Sequence, residues 1–212
     1  MKTVALGDVV SVAGGGTPRK SNPEYFGGSV PWVTPKDMKS RIIDGSQVML
    51  TERGVQMSPA KLVPTNSVLV VVRSGVLKHT LPVALTARPV TLNQDMKALI
   101  PSPEIDGSYL ARLVKSLQPR VLTWVRATTA DNFPINKLLE HRINLPSLDD
   151  QRRIASILDQ ADALRIRFTE VIDRYEELLQ AVFLDMFGGK TLDTRPLSDV
   201  VQPGTIVTYG ST

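Results

Sequence analysis

The 212-residue sequence predicts an α+β protein, with a mixed-strand domain over residues 1–146 followed by a long coiled-coil helix over residues 147–188. Three observations carry this. Short β-branched runs separated by Gly, Pro, Asn and Ser fill the first part, without the regular strand–helix alternation of a parallel sheet. From Gln151 to Phe187 there is neither proline nor glycine, and apolar residues recur in alternating steps of three and four. Charge divides at the same place. Residues 1–146 hold 18 Lys/Arg against 10 Asp/Glu, a net of +8, whereas residues 147–187 hold 5 Arg against 9 Asp/Glu, a net of −4.

In chain order, MKTVALGDVV is interrupted by Gly7 and Asp8 before a signal-peptide core forms, and no apolar run reaches membrane-spanning length. With no cysteine, the chain makes neither disulfides nor thiolate metal sites, so the expectation is a cytoplasmic protein that does not meet a membrane. Ser29–Thr34 and Ser67–Arg73 are β-branched enough to be strands, and Met96–Pro101 is a weaker candidate. The many prolines point to edges and irregular connections instead of a regular barrel. Gly107–Leu117 places Leu110, Leu113, Val114 and Leu117 on one helical face and stops before Pro119.

The second helix starts with Ser147 or Asp149 as its cap and ends at Gly188-Gly189. Over Gln151–Phe187 it would be about 55 Å long. Its seam is Ile154, Ile157, Ala161, Leu164, Phe168, Val171, Tyr175, Leu178 and Val182, flanked by Leu158, Ile172, Leu179 and Met186. More than four heptads are sustained, so pairing with another helix is favoured over packing on the chain's own domain. In the tail, Thr194–Val201 (TRPLSDVV) matches Thr3–Val10 (TVALGDVV) at five of eight positions, and Gly204-Thr205 echoes Gly16-Thr17. Residues 189–212 therefore read as the start of a second, truncated copy of the first domain.

The stretch Gly14–Gly28 (GGGTPRKSNPEYFGG) invites an enzymatic reading, because Asn22-Pro23-Glu24-Tyr25 is one residue from the Asn-Pro-Pro-Tyr phrase of amino-methyltransferases. Its surroundings argue against it. The third position is Glu24, no Gly-rich cofactor loop in a βαβ unit accompanies it, and the spacing of a P-loop is absent. His79 and His141 stand apart without a carboxylate cluster, so neither a catalytic triad nor a metal site is predicted. Binding is better supported. Arg19, Lys20, Lys36, Lys39, Arg41, Arg73 and Lys78 lie in or beside turn-like segments, where they are available to phosphates. Ser74 and His79 put polar groups beside Arg73 and Lys78, and Arg126, Thr128, Thr129 and Asn132 offer donors and acceptors suited to base edges.

Several segments resemble the specificity (S) subunit of Type I restriction–modification systems. They are Gly14–Met38, Arg73–Leu85 (RSGVLKHTLPVAL), Asn93–Leu99 (NQDMKAL) and Ile143–Arg165 (INLPSLDDQRRIASILDQADALR). The last is the most specific, since the family passes from target-recognition domain into conserved helix through such a Leu-Pro-x-Leu-x-x-Gln-Arg-x-Ile-Ala phrase. The resemblance implies two target-recognition domains in a full-length subunit, each reading half of a bipartite double-stranded DNA site. It implies two helices paired antiparallel that set the gap between the halves. It also implies a non-catalytic subunit, serving phage defence, that docks methyltransferase (modification) subunits and ATP-dependent restriction endonuclease subunits. Cofactors are expected to be none on this chain, with S-adenosylmethionine, ATP and Mg on the partners alone.

This sequence departs from that pattern in carrying one recognition domain and one helix, as a natural half-subunit or a truncated chain would. The expectation is a homodimer through the long helix that reads a palindromic bipartite site. Two other classes stay open at this point: a coiled-coil assembly protein that reads no DNA, and a methyltransferase fragment using Asn22–Tyr25.

Overall fold

The computed structural model describes residues 2–125 and 131–188, so Arg126, Thr128, Thr129 and the repeat at Thr194–Val201 lie outside the described residues. The strands are β1 (Lys2–Ala5), β2 (Val10–Gly14), β3 (Phe26–Val33), β4 (Ile42–Ile43), β5 (Met49–Leu50), β6 (Leu62–Val63), β7 (Val68–Val71), β8 (Val83–Thr86), β9 (Val90–Leu92), β10 (Met96–Pro101) and β11 (Arg142–Leu145). The helices are α1 (Glu52–Gln56), α2 (Gly107–Ser116), α3 (Gln118–Leu122), α4 (Ile135–Leu139) and α5 (Leu148–Phe187), with short 3₁₀ turns between strands. No helix among the described residues is long and apolar enough to cross a membrane.

Among the described residues one sheet runs β2-β10-β7-β8-β4 and another β5-β3-β9-β6, while β1 pairs with β11. Most pairs are antiparallel; β3/β9 and β4/β8 are parallel, which makes the strands mixed, as expected. The central strand β7 is buried at all four positions, the fate of a continuous apolar run with no polar alternation. Met96–Pro101, the weaker candidate in the sequence, bonds on both sides, to β2 and β7. Short strands such as β4, β5, β6 and β9 carry too few residues to show a period, and pairing alone makes them strands.

Helix α2 follows its reading closely. The Asp106 carboxylate accepts the Tyr109 N–H at 3.0 Å as the N-cap, and Leu110 and Val114 are fully buried in the main core. A smaller cluster of Trp32, Leu50 and Ala60 serves the second sheet.

By contacts the chain divides into two units, Met1–Asp159 and Gln160–Thr212, so the first turns of α5 belong with the first unit. The cap is Ser147, whose Oγ accepts the Asp150 N–H at 3.2 Å. Asp149 instead pairs with Arg152 at 3.6 Å. Gln151 is completely buried. Its Oε1 accepts the Asp106 N–H at 2.8 Å, and its Nε2 donates to the carbonyls of Pro146 (3.0 Å) and Glu104 (3.1 Å). Four residues on, Ala155 is buried too. Asp159 then accepts hydrogen bonds from Arg112 Nη2 at 2.6 Å and Arg41 Nη2 at 2.8 Å. Burial opposes ionisation of Asp159, but the hydrogen bonds and the positive charges of Arg112 and Arg41 together outweigh it and hold the carboxyl below its ordinary range.

Candidate nucleic-acid interface

The Gly-rich stretch is a close-packing device. The Gly16 N–H donates to the Leu92 carbonyl at 2.8 Å, and Trp32 Nε1 donates to the Gly16 carbonyl at 3.0 Å. A Cβ on Gly15 would collide with the Asn93 carbonyl, and one on Gly16 with that of Pro59, so only glycine lets this backbone lie on β9 and its exit. The Thr17 hydroxyl bonds the Gln94 side chain, after which Arg19 and Lys20 stand exposed.

The Asn22–Tyr25 phrase is accounted for by its own turn. The Asn22 side-chain oxygen accepts the Glu24 N–H at 3.2 Å and caps the 3₁₀ turn Pro23–Tyr25. Thr51 then donates from its hydroxyl to the Glu24 carbonyl (2.7 Å) and from its N–H to the Tyr25 carbonyl (3.0 Å). These bonds hold a loop, and they leave the Asn22 oxygen committed to the backbone.

At the exit of β7 the structure joins residues far apart in sequence. Arg73 forms a bridge with Asn132; beside it, the Ser74 N–H donates to the Asp131 carbonyl at 2.9 Å and the Phe133 N–H to the Val72 carbonyl at 3.2 Å. Asp131 and Phe133 point inward, so the alternation of an extended chain turns Asn132 outward, as Arg73 is turned on the other side of the bridge. Asp95 braces the arginine, with Arg73 Nε at 2.6 Å and Nη2 at 2.5 Å from its Oδ1. The Asn93 amide donates to the other oxygen of Asp95 at 3.0 Å. Ser74 caps the 3₁₀ turn Gly75–Lys78; Lys78 lies 3.6 Å from the buried Asp131, and His79 follows exposed. Thus the bridge sets Arg73 and Asn132 side by side, Ser74, Lys78 and His79 follow in and just after the adjoining turn with Lys78 held against Asp131, and Asn93–Asp95 ties the group to the glycine loop.

Lys36 sits in the turn after β3, on a cleft of about 470 Å³. The cleft runs between Pro35–Arg41 and Val76–Val83, and Lys39, Arg41, Thr80 and Lys115 also line it. Lys115 was not singled out in the sequence, where it reads as a solvated position on α2. Its Nζ donates to Gln118 Oε1 (2.7 Å), the Leu81 carbonyl (2.8 Å) and Thr80 Oγ1 (3.2 Å). Burial of this ammonium lowers its pKa from the ordinary lysine value. Asp95, the brace of Arg73, escaped the sequence reading for the same reason: nothing local marks a partner 22 residues away. Among the described residues no cluster of three or more His, Asp or Glu is arranged to hold a metal ion.

The seam residues of α5 face away from any core. Phe168 is 66% exposed and Leu178 56%, and Ile154, Ile157, Ala161, Leu164, Val171, Tyr175 and Val182 are exposed with them. Where the helix meets the first unit, it uses Gln151 and Ala155, one turn apart on a different stripe from Ile154 and Ile157.

A family model described as the Type I restriction modification DNA specificity domain matches residues 1–180. The specificity subunit of the Type I restriction enzyme EcoR124I/EcoR124II from Escherichia coli is 40% identical over 178 residues, covering 82% of this chain and 44% of that protein. The MjaIX specificity subunit of Methanocaldococcus jannaschii is 28% identical over 197 residues, covering 91% of this chain and 44% of its own length. The chain thus spans under half the length of these curated relatives. Among solved structures, the HsdS subunit from Thermoanaerobacter tengcongensis is similar with a TM-score of 0.63 at 20% identity, covering 89% of this chain and 45% of that one. A chain from a study of Type I R-M complex assembly and conformational transition reaches 0.69 at 22% identity, covering 89% of this chain and 46% of that one. At such identities the likeness establishes the fold alone; the match over residues 1–180 shows that this chain belongs to the family of Type I restriction–modification DNA specificity domains.

Proposed function

We propose that this chain is a DNA-recognition module, itself non-catalytic, that directs Type I methyltransferase and endonuclease subunits to one half of a bipartite site. The observation that carries the reading is the bridge that brings the exposed Arg73 and Asn132 together, with Lys78 in the adjoining turn, within a chain of the specificity family. Arg73, oriented by Asp95, and Lys78 supply cations for phosphate or guanine, and Asn132 presents an amide of the kind that pairs with adenine. S-adenosylmethionine, ATP and Mg belong to the partner subunits in this scheme.

The exposed seam of α5 supports assembly as a homodimer, two helices pairing antiparallel so that two modules read a palindromic site at a fixed spacing. Residues 1–146 are then the reading domain and residues 147–188 the ruler. Sedimentation at micromolar concentration is expected to give a dimer, and a monomer would end this part of the proposal.

The recognition reading is tested by selecting bound duplexes from a randomised pool, with the methyltransferase subunit present. Arg73→Ala and Lys78→Ala are expected to weaken binding, and Asn132→Ala to relax the choice of base at one position, by about 1–3 kcal/mol of discrimination. A preference unchanged in all three variants would move the reading surface elsewhere.

A further inference from the structure

We propose that the cleft between Pro35–Arg41 and Val76–Val83 holds a backbone phosphate of duplex DNA, with Lys36 and Lys39 as its donors. The proposal rests on the reading of the chain as a DNA-recognition module. Four of the side chains lining the cleft are cationic, Lys36, Lys39, Arg41 and Lys115, and none is acidic. Asp37 lies beside them, but its oxygens are occupied. Oδ2 accepts the N–H and hydroxyl of Thr34, both at 2.8 Å, and Oδ1 accepts the Gln47 N–H at 2.9 Å.

The four cations divide by role. Lys115 spends its N–H groups on the neutral oxygens of Thr80, Leu81 and Gln118, so it contributes positive charge without a counter-carboxylate. Arg41 is shared with Asp159, which also anchors α5. Lys36 and Lys39 are exposed at the rim; among the described residues neither makes a salt bridge or side-chain hydrogen bond, and their ammonium groups are available to a tetrahedral anion.

Position points to DNA as the source of the phosphate. Val76 and Thr80 line the cleft, while Lys78 and His79, in and just after the same 3₁₀ turn, belong to the proposed reading surface. A duplex whose bases meet Arg73 and Asn132 would carry its backbone past this turn. Phosphate contacts of this kind fix register without choosing sequence.

The test is duplex binding by the full chain across a salt series, for the wild type, K36A/K39A, and K61A/K137A as a control that removes the same charge elsewhere. K36A/K39A is expected to flatten the slope of log K against log[salt] by about two, and to weaken binding on the order of tenfold near 0.1 M salt. Target and scrambled duplexes should lose affinity alike, while K61A/K137A changes much less. A wild-type slope in K36A/K39A, or an equal loss in the control, overturns the cleft and leaves the recognition reading standing. Displacement of DNA by inorganic phosphate beyond that by chloride of equal ionic strength would reassign the cleft to free phosphate. A wild type with no salt-sensitive binding to any duplex would remove the recognition reading, and this proposal with it.

Discussion

Strand β7 and helix α5 are both rich in aliphatic residues, and they meet opposite fates. Val68, Leu69, Val70 and Val71 have no accessible surface, whereas Leu164, Phe168, Tyr175 and Leu178 of α5 are each more than half exposed. Hydrophobicity alone does not say where burial happens. The β7 run is short, sits between two hydrogen-bonded neighbours and is covered by α2, so its burial stabilises the chain itself. The α5 stripe runs from Ile154 to Val182 of a 40-residue helix at heptad spacing, and its side chains are exposed.

Substitutions of leucine in the two regions should separate these roles. Leu69→Ala is expected to cost about 3 kcal/mol of unfolding free energy, read by denaturant titration, since it opens a cavity in a closed core. A double Leu164→Glu, Leu178→Glu variant is expected to shift sedimentation from dimer to monomer, with a far smaller loss of stability in the first unit. A loss as large as that of Leu69→Ala would break the comparison.

Gln151→Ala comes next in size, at about 2–3 kcal/mol. It removes three hydrogen bonds and leaves the Asp106 N–H and the carbonyls of Pro146 and Glu104 without their partner. Gly15→Ala is expected to cost about 1–3 kcal/mol by forcing the glycine loop off Asn93. Thermal unfolding checks both, and a neutral Gly15→Ala would mean that the loop is not held by close packing.

The smallest effect is expected for Asp159→Asn, under about 1 kcal/mol, because the side chain is 47% exposed and solvent screens the pair. Its pH dependence is the sharper signature. The folded carboxyl titrates below its ordinary value of 3.8, so the contribution is complete above that pH and disappears as pH falls through the lower folded value. Wild type and variant should therefore differ in stability near neutrality and converge in acid.

Helices α2 and α5 were legible because their signals are local, an apolar face in one and heptads in the other, each beginning at a side-chain cap; α1, α3 and α4, of five residues each, are too short to show a period. The strand β7 was legible from Ser67–Arg73, and β3 from Ser29–Thr34, although β3 begins earlier, at Phe26. The pairs β1/β11 and β4/β8 were not, since their partners are distant in sequence and the strands too short to show alternation. For the candidate site, Arg73, Lys78 and Asn132 were visible as residue types in turn-like segments. Their braces Asp95 and Asp131, and the Lys115 wall of the cleft, were not. Each acts through a contact that only a folded chain makes.

By itself the sequence determined the α+β class, the division of charge, the long helix with its seam, and the family. The first three depend on composition or periodicity along the chain and the family on short phrases such as that at Ile143–Arg165, all of which survive without tertiary contacts. Tertiary structure decided that Gly15 and Gly16 serve close packing, and that Asn22 caps a turn. It also decided that the buried Gln151 amide locks the start of α5 to the loop before α2. The Asn22 cap is local, reaching only to Glu24, and is held from afar by Thr51. Close approaches and hydrogen bonds between residues tens of positions apart set the roles of the glycines and Gln151, and no local pattern encodes a partner at that distance.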